Sequence, residues 1–575
     1  MGNQTSCIDS GAMLNAYPDS MGGTLSDIVT WLQMPEMKDA FTSFYVLPSL
    51  FHSDLDRGFS VIDYGINEQM ASREDLEALR AMGLSLKLDF VLNHASVLSP
   101  QFQDILKNGE QSVYRDFFIE WNKFWIGHGT MTSAGYIEPY PECIRNMFFR
   151  KPGLPILMVR MPNGKEVPYW NTFYQKVYYL PVNEQELLAA APMPLSSAHV
   201  LAKQINEALD AGKKPEEIEW GEWEDCRADI IEIVEKHRRY LGQMDLNIQS
   251  PLVWEYYKHT LQTLAGYGAR IVRLDAFAYA PKEPGARNFL NEPGTWDLLE
   301  KLRALAEEVG VTLLPEIHAS YAEGIYEKIS NEGYMTYDFF LPGLILDALE
   351  YGRGDELCRW AAELQKKKIR TVNMLGCHDG IPLLDLKGFL PEEHIADLIN
   401  VVVKRGGYVK NLHGQKKMYY QVNATYYSAL GEDDHRFLLA RALQLFMPGK
   451  PQVWYLDLFA GKNDYEAVAR AGEGGHKEIN RTNLTSCQVR EGMQRPVVRG
   501  QLALLRFRNT FPAFGFNAKM HMAQPEPGKL EIEWYKDGCV AHLKADLKNV
   551  HFVVSGQRAN GQEEFQMSDG EMLDL

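Results

Sequence analysis

Residues 269–318 read ARIVRLDAFAYAPKEPGARNFLNEPGTWDLLEKLRALAEEVGVTLLPEIH and span one complete strand, helix and strand unit. The apolar run at 269–277 predicts a strand, the periodic segment at 296–309 predicts a helix, and the run at 311–317 predicts a second strand. Units of this kind place parallel strands side by side with the helices outside them. This stretch therefore predicts part of a parallel α/β sheet.

The same alternation continues on both sides of this stretch. Upstream, apolar runs at 41–49 and 86–91 flank a helical pattern at 73–82. Downstream, the pattern predicts a helix at 324–330, a strand at 371–375, a helix at 437–446 and a strand at 452–456. Repeated units of this kind are typical of a (β/α)8 TIM barrel, which is the fold class that we predict.

Two excursions interrupt the barrel pattern, and the pattern changes again near the C-terminus. We predict a catalytic barrel formed by 1–94, 250–380 and 436–515, an inserted domain B after strand 3 at 95–249, a loop-rich inserted domain B′ after strand 7 at 381–435, and an antiparallel β domain at 516–575. Domain B carries an extra charge-dense segment at 184–241, with helices expected at 184–191, 199–211 and 229–241. The dipeptides Asp537-Gly538 and Asn560-Gly561 predict hairpin turns in the last part.

The composition narrows the class of protein. The chain has 575 residues, of which 45% are apolar and 23% charged, as in large globular proteins. Its net charge of −17 argues against a nucleic-acid partner and against an anionic membrane surface. No apolar run reaches the ~18 residues that span a bilayer, and residues 1–40 lack the pattern of a secretory leader. Seven scattered cysteines without a Cys-x-x-Cys pair favour reduced thiols, so we expect a cytoplasmic protein.

Polar residues follow four of the predicted inner strands directly. These strand-end clusters are Asn93-His94, Arg273-Leu274-Asp275, Glu316-Ile317-His318 and Cys377-His378-Asp379. The catalytic groups of a (β/α)8 barrel lie at the carboxyl ends of its strands. We therefore expect the four clusters to form one pocket that holds three carboxylates and two or three imidazoles.

Three carboxylates that face one pocket repel each other, so one of them is expected to keep a proton near neutral pH. This arrangement suits cleavage of a glycosidic bond with retention of configuration. Such an enzyme needs an ionised carboxylate that attacks the anomeric carbon and a protonated one, ~5–5.5 Å away, that protonates the leaving oxygen. Asp275 and Glu316 lie on adjacent strand ends and fit these two positions.

Each cluster by itself also has a purely structural interpretation. Arg273 and Asp275 fit a buried salt bridge, and His378 and Asp379 fit a helix cap or a surface pair. Four clusters at four strand ends of one alternating chain favour the catalytic interpretation instead. The histidines show no metal-ligand spacing such as His-x-x-x-His, so we expect no metal and no other cofactor.

Several short motifs, in a fixed order, resemble those of the α-amylase superfamily, family thirteen of the glycoside hydrolases. They are DRGF at 56–59, IDY at 62–64, NH at 93–94, RLDA at 273–276, EIH at 316–318, HDG at 378–380 and INR at 479–481. Five further strings are similar to the sucrose phosphorylase branch of that superfamily, namely PGLP at 152–155, KEPG at 282–285, YQVN at 420–423, AGKND at 460–464 and RPVV at 495–498. The resemblance spans about 41 to 517 and excludes roughly 180–240.

The resemblance implies a role for each matching residue. Asp275 would be the nucleophile that forms a β-glucosyl-enzyme, Glu316 the general acid and later base, and Asp379 the residue that stabilises the transition state. The residues implied to hold the glucosyl ring are Asp56, His94, Arg273, His378 and Arg481, with Phe59 as an apolar platform. Gln243 would lie near the acceptor, although the stretch that follows it, MDLN at 244–247, departs slightly from the family pattern.

Phosphorolysis adds a demand that hydrolysis lacks, because phosphate must outcompete water for the glucosyl-enzyme. The acceptor side therefore needs local cations, whatever the net charge of the chain. Two basic stretches qualify, Arg150-Lys151 and the Gly- and Lys-rich segment 404–417, which we expect to be a mobile loop; a solvated loop without a binding role stays open for the second. The acceptor and phosphate residues that we expect are Arg150, Lys151, Gln243, His318, Leu412, His413, Lys416, Lys417, Tyr420 and Gln421.

The sucrose 6′-phosphate phosphorylases are similar to this chain at Arg150 and at the string LHG at 412–414. This resemblance implies phosphorolysis of sucrose 6′-phosphate to α-glucose 1-phosphate and fructose 6-phosphate, with Arg150 and His413 on the fructose phosphate. Three alternatives remain: a phosphorylase of plain sucrose, glucosylglycerate or glucosylglycerol, an amylase-like hydrolase, and a non-enzymatic relative. Expected partners are these small molecules, and a second copy of the chain is allowed because branch members are often dimeric.

Overall fold

The computed structural model describes residues 8–150, 152–411, 419–472 and 475–574. These residues divide into two compact units. Unit 1 consists of Met1–Asn93, Trp254–Lys282 and Arg287–Leu575, and unit 2 consists of His94–Val253 and Glu283–Ala286. The division into four domains that the sequence suggests stays a prediction.

Unit 1 contains eight parallel strands, which are β1 Met13–Ala16, β2 Ser43–Val46, β3 Ser85–Val91, β4 Ala269–Asp275, β5 Thr312–Pro315, β6 Thr336–Asp338, β7 Thr371–Met374 and β8 Lys450–Trp454. Neighbours in the sheet are neighbours in the chain, and β8 returns to β1, where Met13 pairs with Gln452. Within the described chain, only β5 and β6 lack a ladder between them. The sheet is thus a nearly closed barrel, and the predicted (β/α)8 fold is confirmed.

Helices alternate with these strands as the sequence predicts. They are Leu25–Leu32, Arg73–Ala81, Pro251–Gly266, Gly294–Val309, Ile325–Asn331, Leu341–Tyr351, Asp355–Lys367, Asp434–Phe446 and Pro496–Thr510. The second of them begins at a capping box, in which the Ser72 hydroxyl accepts from the backbone N–H of Asp75 and the Asp75 carboxylate accepts from that of Ser72. None of the helices in the described ranges is long and apolar enough to cross a bilayer.

The region between β7 and β8 contains more regular structure than its Gly- and Lys-rich composition suggests. It forms the helices Glu392–Lys404 and Tyr426–Ala429 and the antiparallel pair Tyr408–Asn411 with Tyr419–Asn423. The first helix forms because Ile395, Leu398, Ile399 and Val402 recur at helical spacing and are buried. The basic stretch that was expected to be a loop from residue 404 therefore begins at the end of a helix and continues as a strand.

Unit 2 is built from short strands and a helical segment. The strands are Gly129–Met131 with Ile137–Pro139, Ile156–Arg160 with Glu166–Trp170, and a sheet of His94–Ser96, Arg238–Asp245 and Gln175–Tyr179. The helices are Pro100–Asn108, Trp121–Phe124, Pro141–Ile144, Glu184–Ala190, Leu195–Asp210 and Arg227–Lys236. The last three share one apolar cluster, which includes Leu187, Leu201, Ile205, Ile230 and Val234.

The helix expected at 229–241 is wrong at its end. It stops at Lys236, and the chain continues as the strand Arg238–Asp245, where Leu241 pairs with Lys176. Leu241 has the spacing of the helix face, but pairing with the neighbouring strand satisfies its backbone instead.

The end of unit 1 is an antiparallel sheet of five strands, Lys519–Ala523, Lys529–Lys536, Cys539–Asp546, His551–Gln557 and Glu563–Ser568, followed by the helix Asp569–Leu573. The turn at Asp537-Gly538 has φ angles of +49° and +79°, as in the tight hairpin that this dipeptide favours. The predicted C-terminal antiparallel sheet is confirmed, and the first and last of its strands were not predicted.

Candidate active site

Polar side chains at the carboxyl ends of three barrel strands meet around one pocket of unit 1. Asp275 is the last residue of β4, Glu316 follows β5, and Asp379 follows β7. Parallel strands bring such residues to the same end of a barrel. Other residues of the pocket wall are Tyr45, Arg273, His318, Tyr337, Phe339, Met374, Cys377, His378 and Gln452. The fourth predicted cluster is divided, because Asn93 belongs to unit 1 and His94 to unit 2.

The Arg273 guanidinium holds the two candidate catalytic carboxylates. Its Nη1 lies 2.9 Å from Oδ1 of Asp275 and its Nη2 lies 2.8 Å from Oε1 of Glu316. A third carboxylate, Asp89, lies 2.5 Å from the same Nη1 and accepts a hydrogen bond of 2.8 Å from the Tyr45 hydroxyl. Arg273 is buried, so these contacts fix the positions of both acids in a region of low dielectric.

Asp275 and Glu316 differ in their affinity for a proton. Burial raises the pKa of Asp275 to about 8, because Arg273 offsets it only in part and Glu316 adds to the rise. Burial acts on Glu316 as well, but Arg273 and a hydrogen bond from His318 outweigh it and bring the pKa of Glu316 to about 2. The pair therefore carries one proton near neutral pH, and in this arrangement it resides on Asp275 rather than on Glu316, which has His318 as a second cationic neighbour.

Asp379 lies among three cationic or imidazole groups. Its Oδ1 is 2.6 Å from Nζ of Lys477 and 3.6 Å from Nη2 of Arg481, and its Oδ2 is 3.3 Å from Nε2 of His378. Burial raises the pKa of this carboxyl, but His378, Lys477 and Arg481 outweigh it and hold the pKa well below the usual range. Asp379 is therefore ionised at neutral pH.

His378 forms an apolar face with Phe59. The two rings stack with centroids 5.2 Å apart and an angle of 14° between their planes. Burial, reinforced by Arg273 and Arg481 and opposed by Asp379, lowers the pKa of His378 to about 3. The imidazole is thus neutral, and its Nδ1 is buried without a hydrogen-bond partner in the part of the chain that the structure describes.

The turn before Phe59 has an unusual backbone. Asp56 and Arg57 adopt φ angles of +50° and +49°, and Gly58 follows at +112°. A Cβ atom on Gly58 would lie 2.1 Å from the backbone nitrogen of Ser49, so only glycine fits. Arg57 holds the turn, because its Nη1 donates to the Arg481 carbonyl oxygen at 2.8 Å. The turn places Oδ1 of Asp56 3.7 Å from Nη1 of Arg481.

His318 lies between two carboxylates. Its Nδ1 is 3.0 Å from Oδ2 of Asp385, and its Nε2 is 3.4 Å from Oε1 of Glu316. The ring stacks on Phe339 with centroids 3.9 Å apart, and Nε2 of Gln421 lies 3.4 Å from the same imidazole Nε2. The structure thus brings the predicted residues His318 and Gln421 together next to Glu316.

Unit 2 contains the predicted residues His94, Arg150 and Gln243. The Arg150 guanidinium carbon lies 4.9 Å from the ring centroid of Phe173, and the ring of His94 lies 4.8 Å from the same ring. Gln243 pairs with Ser96 in the three-stranded sheet. Phe173 therefore links a residue predicted to contact the glucosyl ring with one predicted to bind phosphate.

Other predicted residues cannot be placed. Lys151, Leu412, His413, Lys416 and Lys417 lie outside the described residues, and Tyr420 is described only as part of the strand Tyr419–Asn423.

Sequence reasoning missed Lys477, Asp385 and Phe173. Lys477 stands two residues before the INR motif, and Asp385 follows the HDG motif at a distance of six residues, so a signal existed only in their closeness to motifs. Phe173 lies in a stretch that matched no motif, and nothing in the sequence marked it.

No protein-family model matches the chain. Individual proteins do. The chain is 50% identical over 552 residues to a sucrose 6(F)-phosphate phosphorylase from Ilumatobacter coccineus, an alignment that covers 94% of this chain and 95% of that protein. It is 30% identical over 551 residues to a sucrose phosphorylase from Streptococcus mutans, covering 94% and 97%.

The solved structures agree with these relatives. The crystal structure of sucrose 6F-phosphate phosphorylase from Thermoanaerobacter thermosaccharolyticum matches with a TM-score of 0.80 and 30% identity, covering 98% of this chain and 99% of that chain. An α-amylase from H. orenii matches with a TM-score of 0.57, 15% identity and coverage of 95% and 91%, which shows the shared fold. Since half of its residues are identical along almost the whole length of one such enzyme, the chain belongs to the sucrose phosphorylase family, a branch of the α-amylase superfamily.

Proposed function

We propose that the chain is a retaining glycoside phosphorylase, a hexosyltransferase that converts sucrose 6′-phosphate and inorganic phosphate to α-D-glucose 1-phosphate and fructose 6-phosphate. One observation carries this proposal. A single buried guanidinium, Arg273, holds Asp275 and Glu316 on adjacent strand ends, in a chain half identical to a sucrose 6(F)-phosphate phosphorylase.

The first half of the reaction transfers the glucosyl group to the enzyme. Asp275 attacks the anomeric carbon, the bond from that carbon to the glycosidic oxygen breaks, and Glu316 gives its proton to this oxygen as fructose 6-phosphate leaves. The reaction needs the shared proton on Glu316. Contact with the glycosidic oxygen favours that location, because the protonated carboxyl then donates a hydrogen bond to the oxygen.

The second half returns the glucosyl group to phosphate. A phosphate oxygen attacks the same carbon, Asp275 leaves, and the phosphate proton passes to Glu316, which is then ready for the next donor molecule. Two inversions at one carbon give the α configuration of the product. Asp379, which Lys477 and Arg481 keep ionised, stabilises the positive charge that develops on the sugar in both halves.

The glucosyl subsite in this proposal consists of Asp56, Phe59, His94, Arg273, His378 and Arg481. The neutral imidazole of His378 offers a hydrogen bond to a sugar hydroxyl, and the stacked face of Phe59 and His378 suits the apolar face of a pyranose ring. Buried polar atoms without a partner, such as Nδ1 of His378, are costly unless a ligand satisfies them.

The acceptor subsite in this proposal binds inorganic phosphate and the phosphate of fructose. Arg150 is its guanidinium, and the stacking of Arg150 on Phe173 supports a fixed orientation. The remaining members are Lys151, Gln243, His318, Leu412, His413, Lys416, Lys417, Tyr420 and Gln421. Charge-assisted hydrogen bonds of about 1.5–3 kcal/mol each would favour the phosphorylated sugar over plain sucrose.

Family members act on small molecules, namely sugars and phosphate. A homodimer and a cytoplasmic location are part of the same proposal. The dimer rests on the resemblance to the branch, and the location rests on the scattered, unpaired cysteines.

The test measures glucose 1-phosphate released from sucrose and from sucrose 6′-phosphate, in parallel, with excess inorganic phosphate. We expect a strong preference for the phosphorylated sugar and no turnover by Asp275→Asn. Arg150→Ala should lower kcat/KM for sucrose 6′-phosphate roughly 10- to 100-fold and leave that for sucrose nearly unchanged. Arg115→Ala, which alters an exposed arginine of the same unit, is the matched control.

Two outcomes favour other activities. Equal or better cleavage of plain sucrose would make the chain a sucrose phosphorylase, the activity named for the relative from Streptococcus mutans. Free glucose as the main product in excess phosphate would indicate a hydrolase.

A further inference from the structure

Asp385 has no role in the reaction as described, yet it is one end of a buried chain of three side chains. It lies in the short turn Leu384–Leu386 that follows β7, whereas His318 and Glu316 follow β5. Nδ1 of His318 lies 3.0 Å from Asp385, and Nε2 of the same ring lies 3.4 Å from Glu316. Side-chain exposures of 7% for His318 and 8% for Asp385 show that water screens this contact little.

The geometry defines the charge of the imidazole. A neutral imidazole has one ring nitrogen without a hydrogen, and that nitrogen repels a carboxylate oxygen. Here each ring nitrogen faces a carboxylate oxygen, so both contacts are attractive only when both nitrogens carry protons. Burial opposes the charge, but Asp385 and Glu316 outweigh it and raise the pKa of His318 to about 10. The other charged groups nearby are Arg273, which holds Glu316, and Glu323, which acts on Asp385.

The orientation of this charge is fixed as well. Phe339 covers the ring face at 3.9 Å between centroids, and Asp385 accepts from Nδ1, so Nε2–H is directed to the side of Glu316. The pair is thus a dipole with its positive end next to the carboxylate that activates the acceptor. An anionic acceptor gains attraction at this position, and a neutral acceptor does not.

We propose that Asp385 is a positioning residue that keeps His318 cationic beside Glu316 and so selects anionic over neutral acceptors for the glucosyl-enzyme. This inference rests on the proposed function, because it concerns the second half of that reaction. It assigns Asp385 no contact with substrate.

The experiment compares two acceptors that compete for one intermediate. The enzyme receives a glucosyl donor together with inorganic phosphate and glycerol, a neutral polyol, and the ratio of glucose 1-phosphate to glucosylglycerol is measured from pH 6 to pH 7.5. This ratio does not depend on how much of a variant is folded. Asp385→Asn keeps the size of the side chain and removes its charge. We expect the ratio to fall roughly 10- to 100-fold, the worth of one charge-assisted contact.

The pH dependence and two further variants separate positioning from packing. In Asp385→Asn the ratio should fall further as pH rises, because His318 then loses its second proton within this range, whereas the wild-type ratio should not follow a histidine titration. Asp385→Glu should restore most of the ratio. In a His318→Gln background, Asp385→Asn should change the ratio less than about twofold, since no imidazole remains to be charged.

Three results would overturn the inference. The first is an unchanged ratio in Asp385→Asn, and the second is an equal change with and without His318. In both cases wild-type enzyme still forms glucose 1-phosphate, so the proposed function stands. The third is a wild-type enzyme that forms no glucose 1-phosphate, which overturns the proposed function together with the inference.

Discussion

Asp275 and Glu316 share one proton, and this sharing limits the pH range in which a glucosyl group can be transferred. The two pKa values belong to the pair, because each carboxyl responds to the charge of the other. With values of about 2 and about 8, the singly protonated pair is the main form between them. As the pH rises through about 8 the last proton is lost, and no acid remains for the leaving group.

We therefore expect kcat/KM for sucrose 6′-phosphate to fall about tenfold per pH unit above a pH of about 8. α-Glucosyl fluoride is the control donor, because fluoride leaves without a proton and Asp275 needs only to be ionised. Its kcat/KM should rise with pH over the same interval. An alkaline limb at the same pH with both donors would contradict the shared proton.

The sequence predicted the three acids but not the residues that tune them. Asp275, Glu316 and Asp379 each follow a recognisable apolar run, so the strand pattern alone locates them. Lys477 and Asp385 act through partners 98 and 67 residues away in the chain. Such contacts depend on how loops return to the barrel, which no local pattern encodes.

Among the structural elements, the turn at 56–58 is held by the tightest backbone contact of the site. Gly58 has φ +112°, and a Cβ atom there would lie 2.1 Å from Ser49 N and 2.3 Å from the carbonyl carbon of Pro48. Both are backbone atoms and cannot rotate away. The turn presents Asp56 and Phe59, so its geometry and the glucosyl subsite depend on each other.

Gly58→Ala should lower the free energy of unfolding by about 2–5 kcal/mol and reduce kcat/KM, because both overlap and backbone strain act. Gly83→Ala is the matched control. Gly83 also has a positive φ, +81°, but nothing lies within 4 Å of its Cβ position. It should cost about 1–2 kcal/mol and leave kcat/KM unchanged. Thermal melting with activity assays checks both, and equal melting temperatures would refute the overlap.

Long elements were easier to predict than short ones. Helices such as Gly294–Val309 repeat an apolar face over several turns, and the sequence located them within two residues. The strands β1 and β6 have four and three residues, too few to show any period, and both were missed. Their place is defined by pairing with β2, β7 and β8, which is tertiary information.

At the scale of the whole molecule, the C-terminal sheet packs on the barrel within unit 1. Trp534 on the strand Lys529–Lys536 donates its indole N–H to the carbonyl oxygen of Phe446 at 2.8 Å, and its ring lies 5.8 Å from that of Phe514. Phe446 ends the helix Asp434–Phe446 of the barrel. This contact joins parts of the chain that are 88 residues apart.

Trp534→Ala should therefore destabilise the molecule by about 3–5 kcal/mol, through lost packing and a buried carbonyl without its donor. Tyr535 is adjacent on the same strand but faces outward with 46% exposure, and Tyr535→Ala should change stability by less than about 0.5 kcal/mol. Melting temperatures measure both. Because Trp534 lies outside the active-site pocket, kcat of the folded fraction should stay at the wild-type value, and a loss of kcat would contradict this assignment.

The pairing of β1 with β8 also has a consequence for synthesis. Met13 cannot find its partner until Gln452 has left the ribosome, which at about 5–20 residues per second takes on the order of 20–90 s. During that time β1 has one free edge, and the growing chain exposes apolar strands that invite wrong pairing. A nascent chain of this enzyme is therefore a natural client for a chaperone that binds unpaired strands until the last one arrives.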